Sequence, residues 1–161
     1  MNMWSRLAGE AQVLSASEPM LSGWLSRIFN DCTTIEEGAS RHMAALLADP
    51  LFSFHDLSSL IAQTFREPAE RLALLRDLEA SVERDPAAAS RLNVFLNHKG
   101  FHALLLHRVG HRCWMHDRRP LALVLQGLAS RAFAVDIHPA ARIGSGVFVD
   151  HATGVVIGET V

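Results

Sequence analysis

The chain has 161 residues, 49% of them apolar and 20% charged, with a net charge of −2. That is enough for one domain, or one domain plus part of a second, and it excludes a disordered tail, a collagen-like chain and a disulfide scaffold. No global basic field recruits nucleic acid, no apolar run is long enough for a bilayer, and two cysteines far apart, Cys32 and Cys113, suit a reducing cytosol; a cytoplasmic protein without nucleic-acid or membrane partners is expected.

From Trp4 to about Ala134 the apolar residues recur at helical spacing. Leu7, Ala11 and Leu14 form the first stripe, in an amphipathic stretch that is no signal core. Glu18-Pro19 opens a second helix with Leu21, Leu25 and Ile28 on its inner face. Thr33 or Thr34 with Glu36 or Glu37 predicts a capping box ahead of Ala39, Met43 and Leu47, and Asp49-Pro50 stops that helix. Asp56 is placed to cap a helix carrying Leu57, Leu60, Ile61 and Phe65, and Pro68 starts the next. Arg84-Asp85-Pro86-Ala87 reads as a break. Gly100 precedes a helix running to about Met115, and Pro120 turns the chain into an apolar helix over 121–133. The sum is about eight helices in a bundle.

After Val135 the period changes. Ile137, Ile143, Val149, Val155 and Val161 fall at every sixth residue, with Gly144, Gly146, Gly154 and Gly158 between them. Neither a helix nor a plain strand repeats at six, but a hexapeptide β-helix does, closing one coil in about eighteen residues. A β-meander with glycine turns is the competing reading of the same spacing. The division expected is a helical domain over 1–135 and the first coils of a β-helix over 136–161. Because the written hexads end on an apolar residue without a cap, a truncated chain is expected.

The phrases Glu18-Pro19-Met20-Leu21, Arg84-Asp85-Pro86-Ala87, Lys99-Gly100-Phe101-His102-Ala103-Leu104, Arg108-Val109-Gly110-His111, Val135-Asp136-Ile137-His138-Pro139-Ala140 and Asp150-His151-Ala152-Thr153-Gly154 span nearly the whole sequence. In these the chain resembles the N-terminal part of the bacterial serine O-acetyltransferase family. The resemblance implies a mainly α N-terminal domain leading into a left-handed parallel β-helix, and a homo-oligomer, a trimer or a dimer of trimers joined through the helical domains. It implies acetyl-CoA as co-substrate, L-serine as acceptor and no metal or bound cofactor. In the full-length family O-acetylserine sulfhydrylase is a partner, through a tail that has no counterpart among these residues.

An alcohol is a poor nucleophile at neutral pH and needs a general base, a task that suits a largely neutral imidazole. By resemblance the base is His151 and the carboxylate orienting it is Asp136, fifteen residues earlier. The resemblance assigns the serine ammonium group to Asp85 and Asp150. Read without it, His151 is a surface corner residue, Asp136 a linker residue and Asp85 a helix stop. The two cysteines lie among apolar neighbours and read as inert small hydrophobes, so direct acetyl transfer without a covalent intermediate is expected. His98 and His102, and His107 and His111, are four apart, a spacing too weak for a zinc site. An assembly module without activity is the main alternative for this chain. An acyltransferase acting on a sugar or antibiotic is a third, disfavoured by the long helical part and the Asp85 phrase.

Overall fold

The computed structural model describes residues 2–50 and 52–161, which form two compact units, Met1–Ala62 and Gln63–Val161. In the first unit α1 (Met3–Ser17) is capped by Asn2, whose Oδ1 accepts from the Ser5 N–H at 2.8 Å. Glu18-Pro19 does not open an α-helix directly; a single 3₁₀ turn, Pro19–Leu21, precedes α2 (Ser22–Phe29). The Trp4 ring stacks on Phe29 at 4.8 Å, and its indole N–H donates to the Cys32 carbonyl. At Gly38 in α3 (Ile35–Leu47) a Cβ would lie 2.2 Å from that ring, so only glycine lets this helix approach so closely.

The capping box is present with one shift. Thr34 Oγ1 accepts from the Glu37 N–H, while the Glu37 carboxylate reaches past it to the Thr33 N–H. This bond holds the Glu37 carboxyl below its usual range. At α4 (Phe54–Phe65) Ser53 is the cap, taking the Asp56 N–H on its hydroxyl; Asp56 is the reciprocal partner, accepting from Ser53 Oγ. Asp56 already lies in the first turn of α4, so it answers the cap three residues upstream instead of forming it.

The second unit holds α5 (Pro68–Arg84), α6 (Arg91–Asn97), α7 (Lys99–Met115), α8 (Arg119–Phe133) and two short parallel strands, β1 (Val135–Ile137) and β2 (Val155–Ile157). Helix α6 was not foreseen: its seven residues bury Leu92, Val94, Phe95 and Leu96 on nearly every side, so no 3–4 stripe marks it. Helix α7 packs against α8 and β1, and α5 against α6 and α7. Ala134, at φ 56°, ends α8 in the left-handed region and turns the chain into β1.

The strands pair Val135 with Val155, Asp136 with Val156 and Ile137 with Ile157. The chain thus returns after twenty residues, not eighteen. The excess sits at 150–154, where His151, Ala152 and Gly154 all have positive φ and successive tight turns consume chain without advancing it. The hexad aliphatics are consequently unequal: Ile137 is buried, Ile143, Val149 and Val155 half-buried, and Val161 exposed.

One buried ion pair fastens this coil to the helices. Asp77 on α5 is fully buried and accepts two N–H groups from Arg108 of α7, at 2.9 and 2.6 Å. Its other oxygen accepts from the Gly146 and Val147 amides, and Arg108 also donates to the Gly144 carbonyl. Burial pushes the Asp77 carboxyl up, against the pull of Arg108 and the two amides.

Candidate active site

Three of the four residues singled out from the sequence line one cleft of about 270 Å3 in the second unit: Asp85, Asp150 and His151. They arrive from distant points of the chain. Asp85 is the C-cap of α5, and the helix stop read in Asp85-Pro86 is real. Its backbone N–H closes the last turn on Ser81, while its Oδ1 accepts from the Ala87 N–H at 2.8 Å. Asp150 and His151 stand on the turn before β2, with His151 Nε2 3.9 Å from Asp150 Oδ1. The side chains differ in depth: Asp85 is 13% exposed, His151 94%. A sunken carboxylate faces an imidazole held at the rim.

Gly100 makes this meeting geometrically feasible. A Cβ there would lie 2.1 Å from the Val149 carbonyl oxygen. The start of α7 therefore presses on the backbone immediately before Asp150. Lys99 reinforces the contact by donating from Nζ to Thr153 Oγ1, two residues beyond His151. His98 also lines the cleft, with Nδ1 3.7 Å from Asp85 Oδ2. Sequence reasoning gave no role to His98, Lys99 or Gly100; a glycine at the start of a predicted helix was the available signal of a close backbone approach.

Asp136 does not line this cleft. Its Oδ1 accepts from Gln126 Nε2 of α8, and it makes no hydrogen bond or ion pair with His151. Its Oδ2 has no hydrogen-bond partner among the described residues. Of the helical histidines, His102 is buried with Nε2 at 2.9 Å from the Phe95 carbonyl oxygen, and the His107 and His111 rings lie 5.8 Å apart. Among the described residues no three His, Cys, Asp or Glu side chains gather as a metal set. Burial pushes the Cys32 and Cys113 thiols up, away from the reactive thiolate. Among the described residues no helix is long and apolar enough to cross a membrane.

The order of these parts along the chain has a match among known proteins. The family model described as serine acetyltransferase, N-terminal, matches residues 3–105. The chain belongs to the serine acetyltransferase family. It is 42% identical over 159 residues to serine acetyltransferase 5 of Arabidopsis thaliana, covering 98% of this chain and 51% of that protein. To the serine acetyltransferase of Salmonella typhimurium it is 37% identical, covering 98% and 58%. Among solved structures, soybean serine acetyltransferase complexed with serine superposes with a TM-score of 0.95 at 43% identity, over 98% of this chain and 65% of that one. A serine acetyltransferase complexed with CoA gives 0.93 at 37% identity, over 98% and 67%. The chain spans about half the length of the curated serine acetyltransferases it matches.

Proposed function

We propose that this chain forms the serine side of a serine O-acetyltransferase, an enzyme that moves an acetyl group from acetyl-CoA to the hydroxyl of L-serine. The observation that carries the reading is the convergence of Asp85, Asp150 and His151 on one cleft in a chain of this family. An amino alcohol presents an ammonium beside a weakly nucleophilic hydroxyl. Two carboxylates answer the ammonium, and an imidazole takes the hydroxyl proton as the oxygen attacks the thioester carbonyl. The C–S bond then breaks and the proton passes on to the departing thiolate. The resemblance assigns Asp136 to orient His151, and Gln126 leaves one of its oxygens without a partner for that contact.

In this reading residues 1–135 are the helical domain and 136–161 begin the acyltransferase coil. The complete enzyme is a homo-oligomer in the cytoplasm, supplying an O-acetylated amino acid to a sulfhydrylase. The proposal is tested by joining residues 1–161 to the later half of the Salmonella relative and following free-thiol release from acetyl-CoA. Serine-dependent release that falls about 10²–10⁴-fold in His151→Ala is expected; turnover that survives this substitution rejects the assignment.

A further inference from the structure

His98 lines the cleft between Asp85 on one side of its ring and Asn93 on the other. Asn97 Nδ2 donates to Asn93 Oδ1 at 2.9 Å, which turns the Asn93 amide nitrogen toward His98. Asn93 Nδ2 then faces His98 Nε2 at 3.3 Å, a contact in which Nε2 accepts when the neutral ring carries its proton on Nδ1. Nδ1 is the atom 3.7 Å from Asp85 Oδ2. Asp85 Oδ1 is already tied to the Ala87 amide. The carboxylate therefore has one oxygen anchored by its own turn and the other faced by Nδ1 of a ring whose far nitrogen meets Asn93.

We propose that His98 is a positioning residue for Asp85: its Nδ1–H steadies Oδ2 so that the carboxylate presents its remaining lone pairs to an ammonium group entering the cleft. A donor there cannot accept from the ammonium itself, so His98 acts through Asp85 and not on the substrate. The 3.7 Å separation is longer than a hydrogen bond, and such contacts tighten when the ligand arrives. The inference rests on the reading of the cleft as an amine site. The other charged and titratable groups around it are Lys99, Asp150 and His151.

The test uses the chain itself, labelled with nitrogen-15, and two readouts. Long-range proton–nitrogen correlation reports the His98 tautomer. Protonation at Nδ1, with a shift of that nitrogen in Asp85→Asn, is expected; a ring protonated at Nε2 overturns the inference. L-serine is then titrated into the chain and its variants. His98→Ala and His98→Leu are expected to weaken binding about 3–10-fold, the worth of one hydrogen bond. His98→Asn, whose amide nitrogen falls where Nδ1 stands, is expected to restore it; a merely structural role would not follow the donor in this way. If Asp85→Asn abolishes binding while His98→Ala and His98→Leu bind as the unsubstituted chain does, the positioning role is wrong and the amine site stands. If Asp85→Asn binds serine undiminished, or the unsubstituted chain binds none, the amine site falls and the inference with it.

Discussion

At the scale of single residues, exposure separates the histidine that can do chemistry from one that can only sense acid. His107 is 6% exposed, its Nδ1 has no hydrogen-bond partner among the described residues, and its pKa is lowered from 6.5 to about 4. Burial is the main cause; nearby His111 and Arg108 add to it, and a hydrogen bond with the Ala141 backbone opposes it. Between those two values the unfolded chain binds a proton that the folded chain refuses. Stability therefore falls as pH drops through this window, by about 3 kcal/mol from this ring alone once pH 4 is reached. In His107→Gln the acid slope of the unfolding free energy, measured by denaturant titration from pH 7 to 4, should be shallower by that amount. For His151, at 94% exposure, the expected trace is kinetic. Asp136→Asn in the joined enzyme should lower kcat less than His151→Ala does, because the base survives with a poorly held tautomer; an equal or larger loss would make Asp136 more than an orienter.

At the scale of elements, the same short-range chemistry explains what could be read from sequence and what could not. Pro68 and Pro120 mark helix starts because proline gives up only an amide that has no partner there. Helix α6 escaped because a seven-residue segment buried on most sides has no polar face to set its period. The cleft's Asp85, Asp150 and His151 were legible only through family phrases, since no spacing rule joins positions 85 and 151. Asp136 and its contact with Gln126 depend on how α8 meets β1, which sequence does not state. The twenty-residue return was hidden because a regular hexad pattern does not reveal turns that swallow two residues. Two substitutions probe the joints. Asp77→Ala should cost about 3–5 kcal/mol, because it strands the Arg108 guanidinium in a buried site. Glu79→Ala, which opens the half-exposed pair with Arg91, should cost about 0–1 kcal/mol; comparable losses in the two denaturation curves would contradict this assignment of weight. Gly100→Ala forces a methyl group against the Val149 carbonyl and should cost about 1–3 kcal/mol, with amide shifts concentrated at 149–151.

At the scale of the whole molecule, the chain spans about half the length of the curated serine acetyltransferases it matches. With acetyl-CoA and serine, residues 1–161 alone should release thiol far more slowly than an ordinary enzyme's roughly 10 s⁻¹, because base and carboxylates without a positioned thioester lose the advantage of orientation. Turnover near that value would mean that the described residues suffice. Self-association through the first helices, which the family resemblance implies, should show in light scattering. It should weaken when the exposed Val13 and Met20 are both replaced by aspartate, and a strict monomer at high concentration would remove it. The grip of Asp77 and Arg108 on residues 144–147 also bears on how such a protein is made. On the ribosome, helices α5 and α7 emerge before the strands, so the mould of the coil's first bend precedes its casting along the chain, and that bend's register is tied to helical side chains rather than to later rungs. A designer grafting foreign hexapeptide rungs onto this chain should splice after Val147, keeping the mould and its casting together.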